Sequence, residues 1–260
     1  MRPDINVGDV NINKNVDYSA NRNAWVDNRH ATGNQVRVNA GNRYTNAYGN
    51  GAFRQGVAGG YPYHSQWNTR GAHYGWRAAS YATVGAFVGA AWVKSPPVYY
   101  AYGSGGNVYY ENNAVYVNGQ AAGTPEQYAQ QLTVQVNAAP PPEQTQEAQW
   151  MPLGVFAFTR EDVSDSQGMI ELALSKEGVV AGTYYNETTR ISRPLKGTLD
   201  QKAQRVAIGF ADGKNTDLVL ETGIYNLTQE EAPALLHHGS RESTPVLLVR
   251  LKEPAATDGR

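Results

Sequence analysis

The sequence contains no cysteine among its 260 residues. That absence excludes disulfide bonds, thiolate nucleophiles and cysteine-ligated metal sites together. It leaves the compartment open, since larger exported bacterial domains fold without disulfides as readily as cytosolic ones. The phosphate-binding and nucleophile motifs GxxxxGK[ST], GxGxxG and GxSxG are missing as well. The sequence therefore predicts a protein that is not an enzyme, with no catalytic residues, no cofactor and no metal site.

Charged residues are scarce, at 17%, and the net charge of −1 hides an uneven distribution. Residues 1–94 carry 10 Lys or Arg and 4 Asp or Glu, whereas residues 95–260 carry 12 and 19. A basic front half fits contact with nucleic acid, with an acidic glycan, or with the acidic half of the chain itself. The alternative is a solvated surface, which is the usual role of a dilute charge of this size.

No apolar run reaches the ~20 residues that a membrane-spanning helix requires. The longest, residues 78–93, contains Gly85 and Gly89 at the GxxxG spacing of closely packed helices. It predicts a short apolar helix over 78–94 that is buried or self-associating, with weak membrane association as the alternative. The opening sequence MRPDINVGDV has no apolar segment of the kind found in secretory signals.

Residues 1–77 are rich in Asn, Gly, Arg and Tyr and have few apolar positions. Such a composition buries too little apolar surface to offset the entropy of ordering, and it predicts a disordered arm. The alternative is short extended segments that become ordered only when docked. Aromatic and arginine side chains here could stack on sugars or unpaired bases, or pack on the rest of the protein. The candidate polymer-binding residues are Tyr61, Tyr63, Trp67, Arg70, Tyr74, Trp76 and Arg77.

Residues 95–136 predict a Tyr-rich hairpin followed by a capped helix. Two short β-rich runs flank an Asn-rich turn, and Asn118-Gly119 marks a second turn. Thr124 is placed to cap the helix, with Pro125 at its first position and Gln127 completing a capping box. Since a hairpin with one helix is marginal alone, this cassette needs a neighbour.

Alternating apolar and polar residues after the proline-rich stretch predict an antiparallel β meander. About seven strands and one short helix would form a small barrel or a curled sheet. The helix is expected over 226–239, with Thr228 as its cap, Glu231 three residues later and Gly239 at its end. Glu171, Glu187 and Glu221 would have catalytic potential only if the fold brought them together.

The complete expectation is a mainly β protein with a C-terminal barrel, preceded by the hairpin–helix cassette and a low-complexity N-terminal region. The predicted segments are a disordered arm (1–77), the apolar helix (78–94), the cassette (95–136), a linker (137–149), the β domain (150–254) and a tail (255–260).

Several stretches of the chain between Ser95 and Pro254 resemble a family of uncharacterised bacterial proteins labelled mu-protocadherin-like cell-surface proteins. The stretches that carry the resemblance include SPPVYYAYGSGGNVYYENNAVYVNGQAAGTPEQYAQQ, EAQWMPLGVFAFTRED, LALSKEGVVAGTYYNETT and ETGIYNLTQEEAPALLHHG. The resemblance implies location at the cell surface or envelope and carries over no catalytic residue. No calcium-binding pattern accompanies the protocadherin label.

Composition and resemblance together predict adhesion or assembly, with envelope polysaccharide or further copies of the chain as partners. The alternatives are nucleic-acid binding by the basic arm and an apolar ligand inside the barrel.

Overall fold

A computed structural model shows a closed antiparallel barrel whose outer surface is covered by the chain that precedes it. The structure describes residues 29–41, 43–44, 60–68, 74–89, 96–103, 105–161, 163–166, 168–239 and 242–253.

Four α-helices lie in the described part of the N-terminal half. They are α1 (29–41 and 43–44), α2 (Tyr63–Asn68), α3 (Tyr81–Val88) and α4 (Pro125–Asn137). Single 3-10 turns occupy Tyr74–Trp76, Pro142–Thr145 and Asn226–Thr228. A small antiparallel sheet contains β1 (Val108–Glu111), β2 (Ala114–Val117) and β3 (Gln120–Gly123).

Eight further strands form the barrel. They are β4 (Trp150–Arg160), β5 (Gly168–Ser175), β6 (Val179–Asn186), β7 (Ile191–Asp200), β8 (Arg205–Phe210), β9 (Leu218–Gly223), β10 (Glu231–His238) and β11 (Glu242–Arg250). Each strand pairs with the next, and β11 closes the barrel on β4 with Val249 opposite Ala157. Closure leaves no unpaired sheet edge in the barrel.

The barrel interior is filled by the inward-facing side chains of its own strands. Phe156, Leu172, Val206 and Leu248 are among them, and all four are 0% exposed. Half-buried Phe158, Tyr184, Phe210 and Leu236 also pack against this core.

The prediction of a C-terminal barrel is confirmed, but its strand count and its helix are wrong. The segment expected to form a helix over 226–239 is one 3-10 turn followed by β10. Ala232 and Ala234 face the interior core, while Leu235 and His237 face outward, so the residues follow the period of a strand. Pairing with β9 and β11 outweighs the local capping signal, and Pro233 disfavours a helix interior.

Helix α3 packs into the barrel core. Val84 and Val88 belong to the interior cluster, and Tyr81 and Phe87 pack against it. The helix begins at the Ser80 cap and ends at Gly89, whose φ of 68° is easily adopted by glycine. The expected apolar helix over 78–94 is therefore shorter, and one face of it, with Val84 and Val88, is buried. Residues 90–95 lie outside the described residues. Among the residues described, none of the helices combines the length and apolar character needed to cross a bilayer.

A bulge in β4 is fixed by a buried arginine. The register of the β4–β5 pairing shifts between Pro152 and Gly154, and Gly154 has a φ of 126°. Arg250 donates to the carbonyls of Leu153, Leu227 and Gln229. Burial lowers the pKa of Arg250 to about 10. This side chain ties the end of β11 to the bulge and to the loop before β10.

The described residues between 29 and 149 are called the coat below. Apart from α3, which packs into the interior core, they cover the outside of the barrel in three apolar clusters. In the first, Val36, Ala40 and Tyr44 of α1 pack with Val155 and Val249. In the second, residues around α2 pack on β4, β5 and β6; in the third, the cassette packs on β8, β9 and β10. All eight residues of β5 are consequently buried.

The disorder predicted for 1–77 does not hold for residues 29–41, 43–44, 60–68 and 74–77, which pack on the barrel. The remaining residues of that arm lie outside the described residues. The cassette has the expected hairpin and the Thr124–Gln127 capping box, with β3 as an added strand. Segment 137–149, predicted as a linker, contains a 3-10 turn. It connects α4, which packs in the third apolar cluster, to β4, whose first residue packs in the second. The tail, 255–260, is outside the described residues.

Candidate functional site

Four of the predicted polymer-binding aromatics are buried against the barrel. Tyr61, Tyr63, Trp67 and Trp76 are between 2% and 5% exposed. The polar atoms of Tyr61, Tyr63 and Trp67 are also hydrogen-bonded, as where Tyr63 shares a hydrogen bond of 2.8 Å with Thr183. These rings stabilise the coat, so they cannot stack on a polymer unless the coat detaches.

Tyr61 and Trp67 donate hydrogen bonds to backbone carbonyls of the segment that leads into β4 and of its first residue. The Tyr61 hydroxyl donates to the carbonyl of Pro140 at 2.6 Å, and the Trp67 indole donates to that of Trp150 at 3.4 Å. Burial raises the pKa of Tyr61 to about 12. Of the two alternatives predicted for these aromatic residues, packing on the rest of the protein is the one that the structure has. Arg70 lies outside the described residues.

Tyr74 and Arg77 remain at the surface, and both line a groove of about 460 Å³ between the coat and the start of β4. We call this the rim groove. Its described lining is Gln66, Tyr74, Arg77, Ala78, Ala79, Thr83, Phe87, Gln149, Trp150, Met151 and Pro152. Aromatic and amide side chains are thus placed around one opening, and no described lining residue is acidic.

The cation of Arg77 is held near the ring of Tyr74. Its Cζ lies 5.2 Å from the ring centroid, within the range of a cation–π contact. The 3-10 turn Tyr74–Trp76 sets this geometry, because Trp76 is anchored in the apolar cluster beneath α1. Trp150 also lines the groove, and its buried Nε1 has no hydrogen-bond acceptor in the described part of the chain.

The other described arginines of the coat are paired with barrel carboxylates. Arg29 lies 2.7 Å from Glu161, and Arg37 contacts Glu230 and Glu231. The third, Arg43, pairs with Asp165 at 2.5 Å and with Glu187 at 3.0 Å. At α1, therefore, basic residues of the N-terminal half form ion pairs with acidic residues of the C-terminal half of the same chain.

Two fully buried glutamates face outward from the barrel strands. Glu171 of β5 contacts His64 of α2, and Glu221 of β9 contacts His237 of β10 at 3.0 Å. A buried carboxylate is costly unless it is hydrogen-bonded, so each one favours docking of its partner. Glu171 and Glu187 make separate contacts from those of Glu221, and the three form no shared acid–base group.

Glu221 lies at the centre of a polar network beneath the cassette. The hydroxyl of Tyr128 in α4 donates to it at 2.5 Å and receives a hydrogen bond from Arg205 at 3.0 Å. Burial, and the nearby carboxylate, raise the pKa of Tyr128 well above its usual value. The network thus attaches α4 to β8 through Arg205 and to β9 through Glu221, with the hydroxyl of Tyr128 in contact with both.

The same network reaches Ser243 and has the connectivity of a serine–histidine–carboxylate triad. Ser243 Oγ lies 3.0 Å from His237 Nδ1, whose other ring nitrogen faces Glu221. Tyr110 of β1 lies against the same hydroxyl, at 3.2 Å. Because this hydroxyl is shared with the overlying sheet and the His–Glu pair is buried, the arrangement joins cassette and barrel.

In the part of the chain that the structure describes, no three His, Cys, Asp or Glu side chains converge as a metal site would require. His30 contacts Glu231 and His64 contacts Glu171, so each of these imidazoles belongs to a pair between coat and barrel.

Sequence reasoning missed the lining residues Phe87, Gln149 and Trp150, which come from segments far apart in the chain. The apolar run and the first barrel strand were recognised separately, but nothing in either one indicated that they meet.

Comparisons with protein-family models, with curated proteins and with solved structures found no match to this chain.

Proposed function

We propose that this chain is a non-enzymatic protein of the bacterial cell surface or envelope that acts in adhesion or assembly. Its partner is a polysaccharide, bound in the rim groove. The observation that carries this proposal is the placement of Tyr74, Phe87 and Arg77 around one opening of about 460 Å³. Sites for small ligands commonly have volumes of about 300–1,000 Å³ and combine apolar surface with a few polar groups.

The groove has the chemical features that sugar rings require. Aromatic rings present apolar surface to the C–H face of a sugar, and the amide of Gln149 and the hydroxyl of Thr83 can bond its hydroxyl groups. The cell-surface location rests on the family resemblance, which is consistent with a polysaccharide partner.

The alternatives have less support. Arg29, Arg37 and Arg43, which a nucleic-acid-binding arm would use, are paired with carboxylates of the barrel. An apolar ligand inside the barrel would have to displace packed side chains such as Phe156 and Leu172, both 0% exposed.

The test is affinity electrophoresis of the full chain in native gels that contain soluble bacterial cell-wall polysaccharide. We expect the polysaccharide to retard the wild type, and Tyr74→Ala to migrate as it does without polysaccharide. Tyr116→Ala is the matched control, since Tyr116 is a half-buried tyrosine of β2 that lies outside the groove. Absence of retardation in the wild type, or equal loss in both variants, would refute the proposal.

A further inference from the structure

We infer that the rim groove selects an acidic sugar and that Arg77 binds its carboxylate. This inference rests on the proposed function, because it names the class of saccharide that the same groove takes. On this inference the groove binds a uronic-acid polymer more tightly than a neutral glycan of the same shape.

Arg77 differs from the other described arginines of the coat. Arg29, Arg37 and Arg43 each contact a barrel carboxylate. Arg77 is exposed and has no carboxylate within ion-pair distance in the described residues. The chain has 23 acidic residues, and none of them lies in the described lining of the groove. Arg77 is therefore the one charged side chain of the described lining, and its charge favours an anionic ligand.

The geometry of the Arg77 cation also favours a carboxylate ligand. The contact with the Tyr74 ring, at 5.2 Å, restricts the guanidinium to the edge of the groove. A guanidinium held in this way has lost part of its conformational entropy before the ligand arrives. Its planar fork matches a carboxylate through two parallel N–H···O bonds, which a neutral hydroxymethyl group cannot accept in the same way.

Two neutral donors lie near the charge. The described lining supplies the hydroxyl of Thr83 and the amide of Gln149. A sugar has several hydroxyl oxygens that accept such bonds. One cation with neutral donors beside it suits a ring that carries a single carboxylate.

The test is isothermal titration calorimetry on the full chain with a tetramer of galacturonic acid and with its fully methyl-esterified form. The two ligands have the same ring sequence and differ in charge. We expect the acid to bind the wild type at least about fivefold more tightly than the ester, given the strength of hydrogen bonds to charged groups. Arg77→Gln should remove that preference and leave the affinity for the ester unchanged.

Arg190→Gln is the matched control, because it removes the charge of an exposed arginine on the turn between β6 and β7. It should keep the preference for the acid. The inference is overturned if the ester binds the wild type as tightly as the acid, if Arg77→Gln retains the preference, or if neither tetramer binds. Retardation in the polysaccharide gels that depends on Tyr74 would leave the proposed function standing in each of those cases.

Discussion

Attachment of the coat to the barrel is most directly tested by Tyr128→Phe. The change removes one hydroxyl from a side chain that is 0% exposed and leaves the ring in place. That hydroxyl donates to Glu221 at 2.5 Å and accepts from Arg205 at 3.0 Å. Glu221 would keep His237 as a close partner but would lose a hydrogen bond to a buried carboxylate.

The expected loss in free energy of unfolding is about 2 kcal/mol, since hydrogen bonds to charged groups contribute about 1.5–3 kcal/mol. Glu221→Gln should be destabilising as well. The double variant should lose less than the two single losses combined, with a coupling energy of about 1–2 kcal/mol, because both changes break the same contact. Tyr116→Phe is the control; it removes a hydroxyl from a half-buried tyrosine of the cassette and should change stability by less than about 0.5 kcal/mol.

Urea unfolding is followed by tryptophan fluorescence, which reports on the junction around Trp67 and Trp150, and by far-UV circular dichroism, which reports on the sheet. Coincident transitions would show that coat and barrel unfold together. A stability of Tyr128→Phe within about 0.5 kcal/mol of the wild type would refute the claim that this network attaches the coat.

Two further predictions concern the barrel and α1. Gly154→Ala should cost at least about 2 kcal/mol in urea unfolding, because a Cβ would collide with the guanidinium of Arg250 and the φ of 126° is strained for alanine. Gly41→Ala in α1, where a Cβ meets no atom within 4 Å, should be neutral or slightly stabilising, and equal costs at the two sites would contradict the reasoning. The hydrogen bond from Arg43 lowers the pKa of Asp165, so the pair stabilises the fold above about pH 4 and loses this effect as the pH falls through the lowered value. Asp165→Asn should therefore cost a few tenths of a kcal/mol at pH 7, for a half-exposed pair, and nothing near pH 2; equal differences at both pH values would contradict this.

Local signals in the sequence were sufficient for some elements. The Thr124 cap, Pro125 and Gln127 determine the start of α4 within four residues, and the structure has all three in their expected roles. The alternation of Ile170, Leu172 and Leu174 likewise predicts one inward face of β5.

Local sequence signals gave the wrong element where residues distant in the sequence determine the structure. Thr228 and Glu231 have capping-box spacing, yet β10 is a strand because β9 and β11 supply its hydrogen bonds. The sequence left open whether Tyr63 and Trp67 stack on a polymer or pack on the protein, because the surface that buries them belongs to strands more than eighty residues later. The sequence held a signal that the outward face of β5 is covered as well, because the apolar residues Met169 and Ala173 flank Glu171 on that face.

The coat also has a consequence for the order in which the chain is made. Arg37 and Glu231 are 194 residues apart, and the strands β4 and β11 that close the barrel are the first and last of its eight. A growing chain therefore exposes Tyr44, Trp67 and Trp76 until the barrel strands that bury them have been synthesised. Contacts of such long sequence separation form slowly, since a large loop must close before they contribute. During that interval the aromatic N-terminal half exposes apolar surface of the kind that aggregates or binds chaperones. Termination before β11 would leave the edges of β4 and β10 open to pairing with other chains.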